Sequence, residues 1–328
     1  MAPKEYARKE VLEDGAVRYY DAKERLHRED GPAVDLPNGY RAWYRNGAKH
    51  RDGGPAVERE NGAKEWFRDG RLHRDDGPAV ENADGCKEWY RDGKLHRLDG
   101  PAIEEADGTK VWYQNGNCHR LDGPAVENAD GTAWWVNGEP HRLDGPAIER
   151  ADGTKMWYRN GRLHREDGPA YEYADGKSEW YREGRLHRED GPAIEWPDGT
   201  KSWCRNGKHH REDGPAVEHA DGSTLWYRDG EIHREDGPAI EGVNGSKMWY
   251  RNGKCHREDG PAIEWPDGAK SWCRSGKLHR LDGPAYEGAD GKREWWVNGG
   301  RMTEEGFNRL HSDSAPANKS KVKTPGVG

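Results

Sequence analysis

His, Arg and Asp recur together in one seven-residue phrase, His-Arg-x-Asp-Gly-Pro-Ala, written twelve times in this chain with one-letter variants. The copies begin at His27 and end with the one at His279, at steps of 23 residues save one of 22 from His119 to His141. His-x-x-Asp suggests metal ligation or acid/base work, and the Arg after each His could track phosphates. The period argues against a metal. If each copy supplies two strands, equivalent residues in neighbouring copies lie about 9.5 Å apart, twice the roughly 4.8 Å strand spacing, whereas zinc ligands converge within about 2.0–2.3 Å of the ion. No metal and no cofactor are therefore expected. The Arg row is matched by an acidic residue later in each copy and by the phrase's own Asp. With a net charge of only -8, these groups are expected to pair with one another across strands and not with a nucleic acid.

An active site would break the symmetry of the array. The residues that do so are the His209-His210 pair with His219, and Cys118 or Cys255 before the repeat His. The residue before that His is variously Leu, Lys, Cys, Pro, His or Ile, so each reads as drift at a tolerant position and no enzyme is expected. No Gly-rich phosphate loop and no separate Ser/His/Asp set stands outside the repeat. The five Cys form no CxxC pair, so reduced, structural thiols are expected.

The elements that position these residues follow from the period, which makes the fold a stack of one small unit. Leu, Ile, Val and Phe number 35 of 328 residues, a composition that by itself points to disorder. Sixteen Trp and fourteen Tyr replace the missing aliphatics, and each can bury roughly 150–250 Å², so a thin aromatic core is expected. In the unit, Pro-Ala leads into a Val, Ile or Tyr and then an acidic residue. An Asn-Gly or Asp-Gly turn follows, then a strand carrying Trp (Trp157 in one copy), then a second x-Gly turn and the His phrase. Gly-centred turns between β-branched and aromatic residues read as β-hairpins. Alternation along the second strand places Trp157 with Lys155 and Arg159 on one face, and Met156 with Tyr158 on the other.

The fold class is therefore all-β: an elongated array of about twelve 23-residue hairpin repeats in one continuous antiparallel sheet or solenoid, with short end caps. The expected divisions are an N-terminal cap over 1–13, the array over 14–300, a C-terminal cap over 301–311 and a flexible tail over 312–328. Both caps are expected as short helical turns. Trp-Trp-Val-Asn-Gly occurs only at Trp134–Gly138 and at Trp295–Gly299. It marks a fusion seam near 130–141, where a bend or a change of twist is expected.

The run Trp157-Tyr158-Arg159-Asn160-Gly161-Arg162-Leu163-His164, with Asp152-Gly153-Thr154-Lys155 before it, resembles the MORN repeat over roughly residues 14–300. The connector departs from that pattern, writing Arg-x-Asp-Gly-Pro-Ala where a MORN repeat has closely spaced glycines. The variant resembles hairpin-repeat proteins of bacteria, their phages and large viruses. The resemblance implies a scaffold that binds proteins, here a phage or bacterial factor engaging a host protein.

The functional reading is a non-enzymatic scaffold binding a protein partner along an extended surface. Its alternatives are a self-assembling ring or filament, or a nucleic-acid or phosphate-binding array. Candidate contact residues are Tyr158, Tyr181 and Tyr227, since Tyr and Trp anchor such interfaces. Trp157, His164, Arg165, Asp167, Gly168 and Pro169 are expected to be structural. No apolar run is long enough to span a bilayer and Met1–Val11 is too charged for a secretory signal, so a cytoplasmic location is expected.

Overall fold

Each repeat folds into two different hairpins, as the computed structural model shows for the described residues, 6–312. In the repeat around Trp157, Ile148–Arg150 pairs antiparallel with Lys155–Met156, with Ile148 opposite Met156. Lys155–Met156 then pairs with Tyr171–Glu172 of the next repeat, so this sheet hairpin continues a ladder from repeat to repeat. Beyond Trp157, Tyr158–Arg159 pairs with Arg162–Leu163 in a separate two-stranded side hairpin.

The two turns differ, and sequence explains why. Asn160 and Gly161 both have positive φ, 49° and 71°, which is the two-residue type I′ turn that Asn-Gly favours. In the sheet hairpin only Gly153 is left-handed, at 92°. The loop has three residues, closed by Arg150 N–H to Thr154 O at 2.9 Å and braced by Asp152 Oδ1, which accepts from Thr154 N–H at 2.8 Å. The Asp thus caps its own turn and does not itself enter the left-handed region.

Trp157 lies between the two hairpins and belongs to neither, which corrects the expectation of one strand carrying it. Its N–H donates to Ala170 O of the next repeat at 2.8 Å, and its carbonyl accepts from His164 N–H at 3.0 Å. The backbone changes partner at this residue, so the alternation expected from 155 to 159 is broken there. Each side hairpin then hangs from the repeat before it: Gly161 N–H donates to Pro140 O of the preceding side hairpin at 3.0 Å, and Arg142 N–H of the preceding connector donates to Tyr158 O at 3.2 Å.

Between sheet and side hairpins lies a thin core. Near the N-terminus Val34, Ala42 and Val57 are buried, with Leu26, Tyr40, Tyr44 and Phe67 packed against them. The phrase's closing alanine is fully buried in every copy, Ala147 and Ala170 among them. The carbonyl of that alanine accepts from the amide of the preceding repeat's Trp, as Ala170 O does from Trp157 N–H. The chain divides into two compact units, one through Gly184 and one from Arg185, and the same two-hairpin repeat builds both.

The N-terminal end corrects a second expectation. Arg8–Val11 is a strand, paired with Val17–Tyr20, not a helical turn. Asp14-Gly15 makes the same capped turn as the repeats, with Gly15 at 84° and Ala16 N–H donating to Asp14 Oδ1. Tyr19 stands where later repeats have Trp, and Arg28 lies 4.1 Å over its ring. At the other end Glu304–Ser312 is helical, as expected. Thr303 caps it by accepting from Gly306 N–H at 3.1 Å, and Phe307 is buried. Residues 313–328, nearly all of the expected tail, lie outside the described residues, as do 1–5 of the N-terminal segment.

At the proposed seam the missing residue is absorbed in one turn. Asn128 pairs directly with Gly131, leaving a two-residue loop in place of three. Gly131 takes φ of 136°, and a Cβ there would collide with Glu149 O. The ladder on both sides keeps its register: Val126 opposes Ala133, and Ala133 opposes Ile148. The boundary between compact units falls after Gly184, not here.

The connector row as candidate functional site

The connector phrase explains itself residue by residue in the copy at His164. Arg165 lays its guanidinium 4.1 Å over the Trp157 ring, a cation–π contact with a ring of the same repeat. Its Nε donates to Asp167 at 2.9 Å, and its Nη1 donates to Pro169 O at 3.2 Å and to Glu172 at 3.0 Å. On the opposite side lies Gly168, where a Cβ would sit 2.8 Å from the guanidinium carbon. The cation is therefore sandwiched between a tryptophan face and a glycine. That glycine is required for space, not for a left-handed φ. The arrangement repeats at Arg74, Arg97, Arg120, Arg234 and Arg257 with ring distances of 3.9–4.1 Å.

His164 ties neighbouring repeats together. Its Nδ1 accepts from Glu183 N–H of the next side-hairpin turn at 3.2 Å. The same bond recurs from Asn115 to His96 and from Asn252 to His233. The Asp of the phrase is well exposed, yet the hydrogen bond from Arg165 holds the Asp167 carboxyl below the usual carboxylate range. Among the described residues no three His, Cys, Asp or Glu are placed to share a metal ion.

Between consecutive connectors the surface forms a recurring groove. One, lined by Leu143, Pro146, Trp157, Arg159, His164 and Glu166 among others, has a volume of about 680 Å³. The corresponding groove between Arg234 and Asp259 has about 630 Å³. Trp and Pro line these grooves together with the charged connector residues.

The candidate tyrosines lie elsewhere, half-buried on the side hairpins. Tyr158 pairs with Leu163, and burial raises its pKa. Tyr181 is likewise pushed up by burial, with Glu179 accepting from its hydroxyl at 2.9 Å. Tyr227 pairs with Ile232 and its ring lies 5.1 Å from that of His209. They contribute to the inner layer, as Tyr44 does beside Val34.

The histidines that break the symmetry do not converge. His209 Nδ1 is 2.9 Å from the Ser202 hydroxyl and 3.6 Å from Cys204 Sγ. Ser202 is fully buried, and burial lowers the His209 pKa. His210 serves its connector, accepting from Asp229 N–H, and His219 is exposed in a sheet turn. Burial pushes the Cys118 thiol up to about 11. Cys255 is held above the usual thiol range by its hydrogen bond to Cys273 and by burial. Neither is an activated nucleophile.

Sequence reasoning missed the third residue of the phrase. It is carboxylate in eight copies and leucine in four: Leu98, Leu121, Leu143 and Leu281. At Asp52, Asp75, Glu166, Glu212 and Glu235 the carboxylate pairs with an arginine seven residues earlier, as in Arg45–Asp52 at 3.1 Å and Arg228–Glu235 at 3.2 Å. Where it is leucine it projects into solvent, 73%, 79% and 79% exposed at Leu98, Leu121 and Leu143. The signal was available as a recurring His-Arg-Leu-Asp in three consecutive copies. Comparison of the chain with protein-family models and with curated proteins finds no match.

Proposed function

We propose that this chain is a non-enzymatic hairpin-repeat scaffold, MORN-like in its unit, that binds a protein partner along the exposed rim of its connectors. One observation carries the reading. The connector's recurrent Arg and Asp are spent on each other and on the Trp, Pro and Glu of the repeat, whereas the third residue and the grooves beside it face solvent and vary. Arg165, the residue type that would track phosphates, is engaged by Trp157, Asp167, Pro169 and Glu172, which argues against a nucleic-acid array. Among the described residues no helix is long and apolar enough to cross a membrane.

The test is to immobilise the full chain, capture partners from a native extract and map the purified complex by amide hydrogen exchange. Protection over the connectors of at least two adjacent repeats is expected. Absence of any protein partner, or protection confined to the sheet turns, would reject the reading. Light scattering of the chain alone addresses self-assembly: a ring or filament gives a large multiple of the monomer mass.

A further inference from the structure

Three adjacent repeats of the first unit present a stripe that the others do not. Leu98, Leu121 and Leu143 occupy the same place in successive connectors and are among the most exposed large apolar side chains of the described residues. The residues that pair with a carboxylate at this place have changed as well. Where other repeats have an ion-paired arginine, Gln114 stands seven residues before Leu121 and Val136 before Leu143. Arg91 remains before Leu98, exposed. The stripe ends in the groove of about 680 Å³ to which Leu143 contributes.

Carboxylates frame it. Asp99, Asp122 and Asp144 run alongside, each 85–86% exposed with one oxygen engaged by its own arginine. Asp75 closes one end and Glu166 the other, 61% and 75% exposed. Each connector arginine here serves two carboxylates, Arg97 with Asp99 and Glu104, Arg120 with Asp122 and Glu127, and Arg142 with Asp144 and Glu149. The edge of the strip therefore keeps an excess of negative charge beside Arg68, Arg91 and Arg159, which favours an apolar ligand edged with positive charge.

The pitch selects the ligand's shape. Equivalent residues two strands apart recur at about 9.5 Å. Residues seven apart on an α-helix recur at about 10.5 Å on nearly the same face. An extended strand repeats its face at about 6.6 or 13 Å and misses the leucines.

We propose that Leu98, Leu121 and Leu143 form a docking stripe for a basic amphipathic helix whose apolar residues recur every seven positions. This deepens the scaffold reading and rests on it, by naming the chemistry of the partner at this stretch of the rim.

The test uses the full chain and a synthetic helical peptide of about 22 residues, with Leu at every seventh position and Lys on the flanks. Binding is read by fluorescence anisotropy. Two control peptides keep the composition but shuffle the Leu spacing, or replace Lys by Glu. The triple variant L98E/L121E/L143E restores the residue type that most copies carry and so keeps the fold, which a thermal melt verifies.

Binding of the Lys peptide is expected, with about a tenfold or greater loss on the triple variant and for each control peptide. No binding, equal binding of the shuffled peptide, or binding unchanged by the triple variant overturns the stripe. So does a native chain that dimerises and becomes monomeric in the triple variant, because the occupant is then a second copy. If captured partners protect connectors outside residues 96–144, the stripe proposal falls and the scaffold reading stands. Absence of any partner rejects both.

Discussion

Connector His73-Arg74-Asp75 and connector His96-Arg97-Leu98 are neighbours in one ladder. Their arginines do the same work. Arg74 lies 4.0 Å over Trp66, donating to Asp76 and Glu81, each at 3.0 Å. Arg97 lies 4.1 Å over Trp89, donating to Asp99 at 3.0 Å and Glu104 at 2.9 Å. The third residue separates them. Asp75 meets His73 Nε2 at 3.0 Å and Arg68 at 2.5 Å, whereas beside Leu98 the buried His96 Nε2 has no partner. The stack holds the fold in both, so the third residue is free to be display.

The strongest challenge to that view is to remove the stack. R74A and R97A should each lose about 3 kcal/mol, combining a partly desolvated cation–π contact with charge-assisted hydrogen bonds. The two losses should be alike in urea unfolding. A much milder R97A would mean that the leucine connectors are held some other way. G100A should cost about 1–3 kcal/mol, because its methyl would lie 2.9 Å from the Arg97 guanidinium carbon. In an R97A background G100A should be nearly neutral, and additive losses would contradict the sandwich.

Acid provides the next test. Hydrogen bonding to Arg97 holds the Asp99 carboxyl below its ordinary range, and hydrogen bonding to Arg68, then to His73, does the same for Asp75. A carboxyl whose pKa is depressed by folding contributes stability that is present above its unfolded value, roughly 3.9. That contribution is lost as pH falls through the lower, folded value. Both connector classes should therefore hold at neutral pH and loosen below about pH 4. A carbon-detected NMR titration should show the Asp99 midpoint rising toward the ordinary value in R97A while that of Asp75 stays put. A midpoint unmoved in R97A would remove Arg97 as the cause.

How much of this was legible depends on the kind of constraint. Hairpins, turns and the structural role of His, Arg and Asp follow from Gly-centred turns and a 23-residue period, both local signals. The side hairpin was hidden because Trp157 continues a strand in sequence while its backbone changes partner in space. Gly168 reads as a turn residue beside Pro169, yet its need for hydrogen in place of Cβ comes from a guanidinium three residues away in sequence. The N-terminal hairpin was masked because Tyr19 replaces Trp and no connector precedes it. The leucine stripe was written plainly, but without exposure values a leucine in a sparse sequence reads as core.

The smallest expected effects draw the comparison most finely. L98E places a carboxylate near His96 and seven residues after Arg91, as Asp75 stands after Arg68, and should stabilise by up to about 0.5 kcal/mol. L121E finds Gln114 in place of the arginine and should gain less. L143E finds Val136 and should gain nothing or lose slightly. In the opposite direction E166L gives up a 3.5 Å contact with Arg159 between exposed groups and should cost no more than about 0.5 kcal/mol. Urea midpoints at constant m-value read these differences. A graded series of this size beside a large loss of peptide binding would assign the leucines to recognition. A loss of several kcal/mol in any Leu-to-Glu variant would instead place that leucine in the fold, and the two connector classes would then differ in architecture and not only in what they display.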